Sequence, residues 1–185
     1  MINVKDVKRL LKSMNNVDGK NLLKKTTSFD YKSLIISFFI IILIFLFDRF
    51  SKFKIIENQL KNNSIYINDF LNFDLVWNTG IGFGLLSSNS TLFYNTITVI
   101  IGIVIVFLIY LLINSKLYDK ILFSLIIGGA LGNFYDRLVY LAVPDFIDVH
   151  YENFHWFTFN LADIFITIGI VMLLLNEITK KNERN

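Results

Sequence analysis

Apolar residues occupy this chain in four long runs, and the polar residues that interrupt them are unevenly placed. A first run, "LIISFFIIILIFLF", starts at Leu34, reaches about Phe50 and ends in "DRFSK". A second, "LFYNTITVIIGIVIVFLIYLLI", spans Leu92 to Ile113 with no charge in it. The third, "ILFSLIIGGALGNFYDRLVYL", begins at Ile121 and turns polar halfway, at Asn133, Asp136 and Arg137. The fourth runs from about Phe157 to Ile178 and carries Asn160 and Asp163 near its start. About 20 apolar residues in helical form cross a bilayer, so the pattern predicts four membrane-spanning helices. Between the first two runs, "SIYIND" and "FLNFDLVWNTGIGFGLL" alternate apolar and polar residues before a glycine cluster, which predicts short strands and tight turns. The expected fold is a mainly α membrane protein, a four-helix bundle with a small β cap at about residues 51–91.

Composition agrees. Of 185 residues, 54% are hydrophobic and only one is proline, more apolar surface than a soluble domain of this length carries. There are no cysteines, which excludes disulfides, thiolate catalysis and Cys-ligated zinc. Lysine and arginine cluster before the first span, at Lys116 and Lys120 between the second and third, and at Lys180, Lys181 and Arg184 after the last. Basic flanks stay on the cytoplasmic side. Both termini are therefore expected inside, with residues 51–91 and 139–156 outside. This divides the chain into a basic cytoplasmic extension (1–32), a membrane domain (33–178) and a cytoplasmic tail (179–185). "MINVKDVKRLLKSM" has apolar residues at helical spacing and reads either as an inner-leaflet amphipathic helix or as a solvated basic tail. The first apolar run is long, ends in charges and lacks a small-residue cleavage site, so it reads as an anchor rather than a cleaved leader.

With that orientation Asp48, Asn133, Asp136, Arg137, Asp145, Asn160 and Asp163 all fall toward the outer face. Ionisable groups at the edge of apolar spans are expensive and mark function by default. Asn133, Asp136 and Arg137 share one helical face by their spacing, and Asp136 with Arg137 can simply neutralise each other. Asn160 and Asp163 are likewise three apart. Asp145 precedes Asp163 by 18 residues, enough chain to bring the two together. Two carboxylates at a partly dry site titrate as a coupled pair, one ionised and one protonated, the arrangement with which aspartic proteases activate water and protonate a leaving nitrogen. "GIGFG" (Gly80, Gly82, Gly84) is either a simple turn or a place where backbone approaches a ligand.

"FDRFSK", "VWNTGIGFG", "GGALGNFYDR", "VPDFID" and "FNLAD", in this order, resemble the motif set of the bacterial lipoprotein signal peptidases, the type II family, from about Leu34 to Leu175. The resemblance implies an aspartic endopeptidase of the cell membrane that removes the signal peptide of diacylglyceryl-modified prolipoproteins just before the lipid-bearing cysteine. It implies Asp145 and Asp163 as the catalytic dyad. Asn133, Arg137 and Asn160 would line the site and hold substrate, and Asn78 would belong to a loop that closes over it. Asp48 would be structural; Asp136 reads as structural from its charge pairing with Arg137 rather than from the resemblance. No cofactor or metal is implied. The partners would be prolipoproteins and membrane lipids, with no nucleic acid, and the enzyme is expected to be a monomer. The chain departs from the family pattern in "LAVPDF", where Pro144 replaces a common valine and Ala142 stands near a usual glycine, and in "GIGFG", which is commonly richer in alanine.

Two other readings use the same residues. An ion- or proton-coupled transporter subunit would string Asp136, Arg137, Asp145 and Asp163 along a path. Yet these charges crowd one face of the membrane, and residues 164–174 of the last span hold no ionisable group. A metal centre could use His150, His155, Asp145, Asp148 and Asp163; the two histidines read rather as loop residues at the membrane interface.

Overall fold

The computed structural model describes residues 30–59, 64–80, 91–152 and 154–182. Nearly all of the basic N-terminal extension, with its amphipathic stretch, lies outside these residues, as do Gly82 and Gly84. The described elements run α1 (Tyr31–Gln59), β1 (Ile65–Asn68), β2 (Leu71–Asn78), α2 (Thr91–Ile113), α3 (Leu117–Val139), β3 (Val143–Tyr151), β4 (Phe154–Phe159) and α4 (Leu161–Asn182). All four helices are long and apolar enough to cross a membrane. Phe38, Phe39, Val106 and Leu174 stand exposed on their outer surfaces, as side chains facing lipid can without penalty. The chain is a multi-pass membrane protein with a four-stranded antiparallel sheet of order β1-β2-β3-β4.

Three boundaries differ from the sequence expectation. Helix α1 does not stop at "DRFSK" but continues to Gln59; at 1.5 Å per residue it is about 44 Å long, well beyond a hydrocarbon core of about 30 Å. The charges there do not end the helix because Lys52 is neutralised one turn back by Asp48 (2.8 Å) and across the bundle by Asp136 (2.7 Å). The cap is not confined to residues 51–91: the segment expected to be an outer loop supplies β3 and β4, half of the sheet. Helix α4 starts at Leu161, since Phe157–Phe159 still belong to β4.

Helix α3 is the hub. Its "GGALG" presents two faces: a Cβ on Gly128 would meet Ile44 of α1 at 2.8 Å and one on Gly132 would collide with the Asp48 carboxylate, whereas one on Gly129 would meet the Ala162 carbonyl of α4 at 2.5 Å. Small residues four apart let helix backbones approach closely in a membrane, and here they set α1 and α4 against α3 at the level of the polar residues. At its end α3 leaves the helix through Leu141, whose φ of 55° is a conformation that glycine adopts more readily. The chain then enters β3 directly.

Candidate active site

Asp145 lies on β3 and is nearly inaccessible, at 3% relative exposure. It is thus part of a strand, not of a surface loop. β2 pairs with β3 so that Val76 faces Asp145 and Asn78 faces Val143, with a bulge between Phe73 and Val76. Side chains two apart on a strand share a face, so Asn78 sits diagonally across from Asp145. Its amide donates to Asp145 Oδ2 at 2.8 Å, while its own oxygen accepts from the Gly80 N–H at 2.8 Å, which fixes the amide's orientation. Pro144, opposite Trp77, is accommodated because pairing with β4 begins only at Ile147, so the strand has a ladder on one side at that point.

Asn160 joins the second aspartate to the first. It is the residue before α4, not part of the helix, and is fully buried. Its side-chain oxygen accepts from the Asp163 N–H (3.2 Å), and its own N–H donates to Asp163 Oδ2 (3.1 Å), a reciprocal cap on the helix start. The Asn160 amide then donates to Asp145 Oδ1 at 2.6 Å. One residue therefore holds both carboxylates. The other Asp163 oxygen accepts from the Asn133 amide of α3 at 2.8 Å. Burial raises the Asp145 carboxyl from the usual 3.8 to about 6, the negative charge of Asp163 adds to the rise, and the donors from Asn78 and Asn160 pull against it.

Arg137 ties α3 to the residues after β2. Its guanidinium donates to the Gly80 carbonyl (3.0 Å) and, along its own helix, to that of Asn133 (3.2 Å), while its backbone carbonyl accepts from the Tyr94 hydroxyl (3.1 Å). Arg137 Nε is buried without a hydrogen-bond partner. The expected mutual neutralisation of Asp136 and Arg137 does not occur. Asp136 turns instead to α1, where it pairs with Lys52 and Arg49.

Behind the two aspartates lies a second polar layer. Lys52, entirely buried, donates to Asp48, Asn133 and Asp136 within 2.8 Å. Asp48 Oδ1 in turn accepts from the backbone N–H of Ala162 at 3.1 Å, so a carboxylate of α1 occupies the positive end of α4, two residues from Asp163's own cap. Asn133 connects the layers, accepting from Lys52 and donating to Asp163. Arg49 and Lys52 were not singled out from the sequence, although Asp48 and Lys52 stand at the i, i+4 spacing of a helical ion pair.

An apolar cavity of about 640 Å³ between α2, α3 and α4 reaches this network, with Ile101, Val104 and Ala130 on its walls and Asn133, Arg137 and Asp163 at its polar end. A smaller one of about 270 Å³, lined by Phe157, Phe159, Ile164 and Thr167, also borders Asp163. The arrangement offers two carboxyl groups joined through Asn160, with polar donors around them and apolar space beside Asp163.

Comparison with known proteins points the same way. Residues 40–179 match the family model described as Signal peptidase (SPase) II. The lipoprotein signal peptidase of Pelagibacter ubique is 48% identical over 160 residues, covering 83% of this chain and 96% of that protein. That of Francisella tularensis subsp. novicida is 41% identical over 152 residues, covering 78% and 92%. A bacterial membrane enzyme solved by the in meso method at 2.3 Å superposes with a TM-score of 0.68 at 31% identity, over 81% of this chain and 92% of that one. None of these supports a transporter. With the match extending through all four spans and the polar network, the chain belongs to the signal peptidase II family.

Proposed function

We propose that the chain is an aspartic endopeptidase that cleaves prolipoproteins before their lipid-modified cysteine, with Asp145 and Asp163 as its catalytic pair. The observation that carries this reading is Asn160, which hydrogen-bonds both carboxylates at once. The pair holds one proton between them. Its ionised member takes a proton from water as the oxygen attacks the scissile carbonyl; its protonated member hydrogen-bonds the carbonyl oxygen and then protonates the departing nitrogen. Asn133, Asn160 and Asn78 orient the two acids. Arg137, with a buried donor to spare, holds a carbonyl of the substrate backbone. Asp48 and Asp136 act structurally, through Lys52.

The substrate reaches the site from the membrane. An acyl chain gains about 0.8 kcal/mol per buried CH₂, which retains it at bilayer depth, and a signal segment is itself an apolar helix. Two apolar cavities meeting at Asp163 suit a substrate with two apolar arms, one on each side of the bond to be cut. The distribution of Lys and Arg supports both termini in the cytoplasm and the site at the outer face. The test is processing of a lipidated preprotein in liposomes with a chelator present. Cleavage by the wild type and none by Asp145→Asn or Asp163→Asn is the expected result; turnover by either folded variant refutes the pair.

A further inference from the structure

We propose that Asp148, His150 and His155 form a binding site for a divalent transition-metal ion, Zn²⁺ in the first instance, on the β3–β4 hairpin. The chain contains two histidines and no cysteine, so these imidazoles are its whole stock of nitrogen or sulfur side-chain ligands suited to such an ion. Both lie here, directly opposite each other in the β3–β4 register, their rings stacked with centroids 5.4 Å apart and planes 24° from parallel. Asp148, two residues before His150, projects from the same face of β3, while Asp145, an odd number of residues away, projects from the other. The site is therefore distinct from the aspartate pair.

One ligand atom from each of the three residues lies within 4.8 Å of the other two. His155 Nδ1 is 2.7 Å from Asp148 Oδ2, and His150 Nδ1 is 3.7 Å from the same oxygen. Ligand atoms around a tetrahedral zinc are roughly 3.3 Å apart, given bonds of about 2.0 Å, so opening the first distance and closing the second by about half an ångström admits the ion. Two atoms of the cluster ask for a partner: Asp148 Oδ1 and His150 Nδ1 are buried with no hydrogen bond. A buried carboxylate oxygen and a buried imidazole nitrogen left unsatisfied are costly; an ion on His150 Nδ1 removes the second deficit, and binding by both Asp148 oxygens removes the first. The His155 side chain is 60% exposed, which gives an ion an entry path and leaves a fourth position for water. Two imidazoles and one carboxylate favour zinc, copper or nickel over magnesium or calcium. Bound there, the ion ties β4 to β3, the strand that carries Asp145.

The test uses the full-length chain in detergent, with any affinity tag removed and chelator washed out, titrated with Zn²⁺ by calorimetry and with Co²⁺ by visible absorption. Wild type is expected to bind one equivalent and to show the bands of a low-symmetry Co²⁺ site. His155→Ala, at an exposed position that leaves the fold intact by circular dichroism, is expected to weaken binding by more than roughly 100-fold, beyond the 10- to 100-fold typical of residues that only support a ligand. Asp148→Asn should do likewise. Absence of saturable binding in wild type overturns the proposal, as does wild-type affinity in His155→Ala. Binding that is lost in Asp145→Asn but kept in His155→Ala also overturns it, because the ion would then belong to the aspartate pair.

Discussion

Replacing Asp145 by Asn should destroy activity and yet leave a protein at least as stable as the wild type at neutral pH. The wild-type carboxyl has its pKa raised from 3.8 to about 6 by burial and by Asp163. Between those values the folded state binds a proton that the unfolded chain has released, so stability falls as pH rises through that window. At about 1.36 kcal/mol per pH unit, the ionised carboxylate destabilises the fold by up to about 3 kcal/mol once the pH exceeds 6. Asn escapes this penalty but presents one acceptor where the carboxylate presents two, so it gives up the donor of Asn78 or Asn160, a loss of about 1–3 kcal/mol that offsets part of the gain. For a chain of this size about 1 kcal/mol moves the unfolding midpoint by roughly 2–4 °C, so the gain has a ceiling near 10 °C. The assay is thermal unfolding of wild type and variant in the same detergent from pH 4 to 8, with peptidase activity measured alongside. The curves should converge toward pH 4, part between 4 and 6 and keep a constant gap above 6, with the variant higher. A variant less stable than wild type at pH 7.5, or a gap independent of pH, would falsify the claim that Asp145 is held against its ionisation.

Other substitutions test the surrounding network. Asn78→Ala removes a donor to the charged form of Asp145, so its pKa should rise further, and the alkaline limb of kcat/KM should move to higher pH; an unchanged or lowered limb contradicts the assigned hydrogen bond. Lys52→Met leaves the buried Asp48 without its ion partner and Asp136 with Arg49 alone, and loss of one partner from a buried ion pair typically destabilises by about 3–5 kcal/mol; the yield of folded protein in mild detergent should collapse, and normal yield contradicts the polar layer. Gly132→Ala should destabilise by roughly 1–3 kcal/mol, as overpacking does, because the added methyl collides with the Asp48 carboxylate. Leu141→Gly should leave stability unchanged or raise it by up to about 1 kcal/mol, since Leu141 occupies a left-handed conformation on an exposed turn; a clear loss in the unfolding midpoint would show that the leucine side chain earns its place.

The four spans were legible because apolar runs of bilayer length have few alternatives, and β1 and β2 because their side chains alternate. β3 and β4 were not, since β3 is buried over much of its length and the alternation in "VPDFIDVHY" breaks at Phe146–Ile147, while its proline argues against a strand. Asp145 and Asp163 could be named from motifs, but their union through Asn160 could not: a residue expected inside a helix proved to be its cap. The reach of α1 past "DRFSK" was hidden because charges there look like a stop until Asp136, 84 residues beyond Lys52, is known to neutralise them. Local spacing, which pointed to Asp136 with Arg137, lost to a partner on another helix.

The hydrogen bond from the Ala162 amide to Asp48 ties α1 to α4. During synthesis the earlier spans enter the bilayer with one oxygen of that carboxylate still waiting for its backbone donor, and the cleft lacks one of its two acids until the final helix arrives. On the proposed assignment of Asp145 and Asp163, hydrolytic capacity therefore arises only once α4 has joined the helices that precede it.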